Sequence, residues 1–82
     1  MITDDELLSM LNDLLYPKYI GKLFGIKIWG YEKDSIGLES LVITVEYGQL
    51  TYINLHELIS DIDVYLKMIG IQRWRLRTWV SC

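Results

Sequence analysis

Two amphipathic helix signals, separated by a stretch of β-type alternation, place the strongest limit on what this 82-residue chain can fold into. Each helix carries one apolar stripe that has to be buried against another element. A chain of this length has room for a single two-layer core. We therefore expect residues 1–82 to form one domain in which both helices pack on the same face of one sheet.

The first helix is predicted over residues 3–15. Thr3 and Glu6 form a capping box, in which each side chain satisfies a backbone N–H at the start of the helix. Pro17 ends the helix, because the residue before a proline avoids helical backbone angles. The predicted buried stripe consists entirely of leucines: Leu7, Leu8, Leu11, Leu14 and Leu15.

The second helix is predicted over residues 55–69. Asn54 is its N-cap, Glu57 completes the capping box, and Gly70 ends the helix in the position that favours glycine. Its apolar residues recur with helical spacing and predict a core stripe of Leu55, Leu58, Ile59, Ile62, Tyr65, Leu66 and Ile69.

Four segments show the alternation that is typical of β-strands, and they cover residues 22–31, 39–47, 50–53 and 71–80. Gly48-Gln49 suits a tight hairpin turn between the second and third of them. The prediction is an α+β fold with the element order α-β-β-β-α-β. The first three strands form an antiparallel meander, and the last strand returns beside the first, which gives a four-stranded, mostly antiparallel sheet of order 3-2-1-4.

The sheet face that the helices leave open is predicted to carry basic and aromatic side chains together. Strand alternation assigns to it Lys27, Trp29, Tyr31, Thr44, Glu46, Arg73, Arg75, Arg77 and Trp79. Such a face is compatible with an ordinary solvated surface on which arginine stems cover tryptophan. It also suits a protein or homodimer interface, since Trp, Tyr and Arg are enriched in binding hot spots. A third interpretation is a stacking platform for single-stranded nucleic acid.

The outward side of the second helix offers another candidate surface. Its residues follow one another at helical spacing, and the stripe is half acidic and half apolar: Glu57, Asp61, Val64 and Met68. Most such stripes only face solvent. This one could instead dock into a basic, apolar-lined groove of a partner protein.

No set of residues predicts catalysis, a cofactor or a metal site. His56 is the only histidine, and no third group is evident to orient it as a general base. The acidic residues at the start of the first helix are explained by the helix dipole. A single cysteine, Cys82, excludes an internal disulfide and a multi-cysteine zinc site. We therefore predict that the protein is not an enzyme and uses no cofactor.

Charge and composition favour a protein partner over bulk nucleic acid. The net charge is −3, whereas nucleic-acid-binding domains are usually basic. The N-terminus lacks the apolar region of a signal peptide, and no apolar run is long enough to span a membrane, so a cytoplasmic location is expected.

The leading hypothesis is a small acidic protein-binding domain that inhibits or regulates its partner by covering a basic site. Phage anti-defence proteins such as anti-CRISPR proteins, and bacterial toxin-immunity proteins, work in this general way, which would make the chain a phage or bacterial accessory protein. One alternative is a single-stranded nucleic-acid-binding domain that uses the Arg/Trp face. The other is a structural homodimer.

Overall fold

The computed structural model describes residues 3–48 and 53–81 as an α+β fold with two helices and a three-stranded mixed sheet. No helix in these two segments is long and apolar enough to cross a membrane. The elements in chain order are α1 (Asp4–Leu15), β1 (Leu23–Lys33), β2 (Glu39–Gly48), α2 (Leu55–Met68) and β3 (Trp74–Ser81).

Both helices begin where their capping residues predict. The Thr3 hydroxyl accepts a hydrogen bond from the backbone N–H of Glu6 at 3.2 Å, and the Asn54 side chain accepts one from Glu57 at the same distance. Gly70 follows α2 with a φ of +93°, a conformation that favours glycine. The backbone N–H of the next residue then donates to the carbonyl of Leu66 at 2.8 Å, which is the hydrogen bond that closes a Schellman motif.

The strand order is β1-β2-β3, with β1 and β2 antiparallel and β2 and β3 parallel. The predicted order 3-2-1-4 is therefore wrong: the last strand lies beside the second strand and not beside the first. Residues 50–52 of the predicted third strand lie outside the described residues, and Ile53 is not in a strand. The last strand runs parallel to the second strand and antiparallel to the first, whereas the prediction had it parallel to the first. In the structure, α2 is the crossover that two adjacent parallel strands require.

The core lies between the helices and one face of the sheet. Each helix contributes three fully or almost fully buried residues at four-residue spacing, and β1 and β2 complete the cluster. Its main members are Leu7, Leu11, Leu15, Leu58, Ile62, Leu66, Ile26, Leu41, Ile43 and Val45. Leu14 and Ile59 were predicted in these stripes but are about 40% exposed (40% and 39%), because they lie at the margins of two narrow stripes.

A polar contact fixes α2 to β3 beside this core. The indole N–H of Trp74 donates to the carboxylate of Asp63 at 2.8 Å, and the Lys67 ammonium lies 2.7 Å from the same oxygen. The hydrogen bonds from Lys67 and Trp74 hold the pKa of Asp63 below its ordinary value of 3.8. The carboxylate therefore has to be ionised for this anchor to keep its full strength.

Truncation of a core side chain, either on the helix layer or on the sheet, should destabilise the fold strongly. Ile62→Ala on α2 and Ile43→Ala on β2 each remove a fully buried side chain and leave a cavity. We expect a loss of about 2–5 kcal/mol in the free energy of unfolding for each variant. Urea titration followed by circular dichroism measures this, and a loss near zero would contradict the packing described above.

The Asp63 anchor predicts a specific acid sensitivity. A group whose pKa is depressed in the folded state stabilises the fold above its unfolded pKa, and that stabilisation is lost as the pH falls through the folded pKa. We therefore expect the wild type to lose stability below pH 3.8 more steeply than Asp63→Asn, which has no charge to lose. Urea unfolding at a series of pH values tests this. Parallel pH profiles for the two proteins would contradict it.

Candidate functional site

A β-bulge at Trp29 determines which side chains β1 presents on the open sheet face. Ile28 pairs with Ile43 of β2, but the next paired residue, Gly30, is opposite Val42, so Trp29 is the extra residue. The bulge reverses the alternation of the residues that follow it.

Tyr31 is consequently opposite Leu41 and on the helix side of the sheet, so its predicted place on the open face is wrong. Glu32, which the strand alternation did not assign to that face, projects from it instead and contacts two arginines there. A glycine inside a strand is the one sequence signal of such a bulge. Gly30 supplies it here, with a φ of +133°.

Arg75 and Arg77 of β3, and Arg73 just before the strand, lie on the open face as predicted, but each is paired with a carboxylate of the same chain. Glu32 lies 3.0 Å from Arg75 and 3.2 Å from Arg77, and its side chain reaches them across the middle strand. Arg73 lies 3.5 Å from Asp34, which is in the turn between β1 and β2.

Two further contacts hold this network in place. The guanidinium of Arg77 lies over the ring of Trp29, 5.1 Å from its centroid, which is a cation–π arrangement. Asp34 accepts backbone hydrogen bonds from Leu38 and Ile36, both at 3.0 Å, and these hold its pKa below the ordinary value. The three arginines of the face are therefore held by contacts within the chain.

A groove of about 390 Å³ crosses the open face between two exposed tryptophans. Trp29 and Trp79 are 63% and 65% exposed and form its two ends. The remaining lining residues come from β1 and β2 and are Gly25, Lys27, Ile28, Thr44 and Glu46. Sequence analysis identified both tryptophans but not the groove, because the groove depends on the strand order.

The polar groups of the groove are few. Among the ion pairs of residues 3–48 and 53–81, none includes Lys27 or Glu46. The hydroxyl oxygen of Thr44 is buried and makes no hydrogen bond within the described chain. Gly25 leaves space at one side, since a Cβ built there would meet only the Oε1 of Glu46, at 3.7 Å. The groove can bury apolar or aromatic side chains and pair with one charge of each sign.

The acidic residues of the predicted α2 stripe, Glu57 and Asp61, form ion pairs with a lysine of the same chain. The Lys18 ammonium lies 2.7 Å from Glu57 and 2.8 Å from Asp61, and hydrogen bonds to these two carboxylates raise the pKa of Lys18. The hydroxyl of Tyr19 donates to Asp61 at 3.1 Å. Burial, together with that hydrogen bond, raises the pKa of Tyr19 to about 12. Asp61 therefore anchors the segment after α1 to α2.

The apolar half of the same stripe is exposed, with Val64 at 58% and Met68 at 77%. It lies on the helix layer, whereas the groove lies on the opposite side of the sheet. The predicted partner-binding residues are thus divided between two faces that one flat interface cannot cover together.

The described residues include no group of three histidine, cysteine or acidic side chains that could hold a metal ion. His56 is an exposed residue in the first turn of α2.

Comparison of the chain with protein-family models, curated proteins and solved structures finds no match. The function is therefore inferred from the groove, the two tryptophans and the ion pairs around them.

The Asp61 anchor predicts a stability effect that an exposed carboxylate would not show. Asp61→Lys removes the partner of the part-buried Tyr19 hydroxyl and places two ammonium groups together. Leaving a fully buried hydroxyl without a partner costs about 1–3 kcal/mol, so we expect the free energy of unfolding to fall by an amount near the lower end of that range. Asp13→Lys, at an exposed position of α1, is the matched control and should change stability much less. Equal effects in thermal or urea unfolding would contradict the anchor.

Proposed function

We propose that this chain is a non-enzymatic protein-binding domain that contacts its partner through the open sheet face and regulates or inhibits it by covering part of its surface. The observation that carries the proposal is the groove between Trp29 and Trp79. Two tryptophans with more than half of their surface exposed are costly to leave in water, and tryptophan is the residue type most enriched in binding hot spots.

The position of these tryptophans supports a preformed contact surface. Both project from paired strands, and Trp29 is held from above by Arg77. Side chains that are already ordered lose less conformational entropy on binding than side chains of a mobile loop. A partner side chain that enters the groove would bury both rings and displace water from the space between them.

The ion pairs favour a protein partner over single-stranded nucleic acid. The open face and the adjoining turn carry four basic residues and three carboxylates, so the net charge is only 4 − 3 = +1. The basic residues are Lys27, Arg73, Arg75 and Arg77, and the carboxylates are Glu32, Asp34 and Glu46. A phosphate that approached the arginines would also meet the Glu32 and Asp34 carboxylates, which repel it. Protein interfaces commonly surround aromatic anchors with paired charges of this kind.

The proposal is tested by capture of the partner with matched variants. Immobilised wild type, Trp79→Ala and Ile20→Ala are exposed to a lysate of the source organism, and bound proteins are identified by mass spectrometry. Ile20 is the matched control, because it is 79% exposed but lies outside the groove. We expect one partner to be retained by the wild type and Ile20→Ala and lost with Trp79→Ala. Equal retention by all three proteins would remove the groove from the proposal.

An oligonucleotide titration distinguishes the nucleic-acid alternative. Fluorescence anisotropy with a single-stranded oligonucleotide should show binding no tighter than the non-specific level, roughly 10⁻⁴–10⁻⁶ M at physiological salt. Tighter binding that is abolished by Trp29→Ala and falls steeply with salt would contradict a protein-binding role and favour nucleic acid.

A further inference from the structure

We infer that the groove on the open sheet face accepts a second copy of this chain, so that two sheets pack face to face around a two-fold axis. The inference rests on the proposed function, since it uses the same groove, and it names the partner as the protein itself. Three features of the groove carry it: its charges, the positions of its tryptophans, and the missing side chain at Gly25.

The charges of the groove complement one another. Lys27 and Glu46 are one cation and one anion, both line the groove, and within the described part of the chain neither belongs to an ion pair. In a two-fold symmetric interface, if residue i contacts residue j, then j also contacts i. A contact between Lys27 of one copy and Glu46 of the other is therefore made twice.

The sheet register defines the axis that would produce this contact. Lys27 is directly opposite Thr44, whereas Glu46 is two residues further along β2. Neighbouring strands are about 4.8 Å apart and residues rise about 3.3 Å along a strand, so the two side chains originate about 8 Å apart on the face. A two-fold axis in the plane of the face, halfway between them, lays each of them over the other.

The same axis brings the tryptophans together without further adjustment. Trp29 lies on β1 at the level between Ile43 and Val42 of the middle strand, and Trp79 lies on β3 at the level of Glu46. With the spacings given above, rotation about the axis places Trp79 opposite Trp29 of the other copy, within about 2 Å when both positions are projected onto the face. The dimer thus has two Trp29–Trp79 contacts, each with one ring from each copy, and an offset or edge-to-face pair is favourable.

The residues that fall near the axis can be brought close together. Gly25 is one of them and has no side chain, although its φ is not positive and its backbone does not require glycine. Arg77 also lies near the axis, and Glu32, which pairs with both Arg77 and Arg75, compensates part of its charge. The strands of the two sheets then cross near a right angle, which is one of the two arrangements in which sheets pack face to face.

A charge-swap experiment tests the inference on the full chain. Sedimentation velocity over a range of concentrations should show that the wild type is a dimer. Lys27→Glu and Glu46→Lys each create two like-charge contacts in the dimer and should weaken it at least about tenfold. The double variant Lys27→Glu/Glu46→Lys restores both pairs and should dimerise as the wild type does. Lys22→Glu is the matched control, because it makes the same charge change at an exposed position outside the groove.

A second variant separates loss of the interface from loss of the fold. Gly25→Val places a side chain at the axis where the monomer has space for it, and valine favours strands, so the variant should remain folded and become monomeric. Any one of three results would overturn the inference. The wild type could be monomeric at every concentration, the dimer could persist in Gly25→Val, or the double variant could fail to dimerise. A monomeric wild type that still loses a captured partner through Trp79→Ala would leave the proposed function standing.

Discussion

The middle strand, β2, is buried on both of its faces, so each face of the sheet needs its own cover. Leu41, Val42 and Ile43 are consecutive and all at most 1% exposed, although neighbouring residues of a strand point to opposite faces. The helices cover one face with their leucine-rich stripes. On the other face Val42 lies between Gly30 and Arg75, where the Glu32 carboxylate reaches across the strand to the arginines of β3. The middle strand thus has an apolar cover on one face and a charged one on the other.

The charged cover explains why a basic strand does not make a basic surface. Exposed ion pairs contribute little to stability one by one, typically less than about 1 kcal/mol. Their effect here is on the charge of the face, because the Glu32 carboxylate compensates part of the positive charge that Arg75 and Arg77 would present to a ligand. The exposed tryptophans beside these pairs therefore dominate what the face can bind. The bulge at Trp29 produces this arrangement, since without it Glu32 would point toward the helices.

The helix side uses its charges differently. Glu57 and Asp61 were natural candidates for attracting a basic partner, but Lys18 lies between them and closes the segment after α1 onto α2. An acidic pattern on a helix thus served as an internal anchor, and its removal would first affect the fold. Val64 and Met68 form the apolar exposed part of that stripe. The open sheet face remains the better candidate for partner binding, and the proposal of a second copy is based on its tryptophans and on two groove charges that form no ion pair within residues 3–48 and 53–81.

Local structure could be predicted from the amino-acid sequence: both helices with their caps, two of the three strands over nearly their full length, the inward residues of β2 and the outward Arg75 and Arg77 of β3. Caps, apolar periodicity and strand alternation are encoded by residues within a few positions of one another. The other features depend on contacts between distant parts of the chain. The place of β3 beside β2 depends on how α2 crosses the sheet, and the exchange of Tyr31 for Glu32 on the open face depends on one extra residue in the register of β1. Lys18 pairs with carboxylates of α2, which begins 37 residues later in the chain (55 − 18 = 37), so no local sequence pattern predicts that contact.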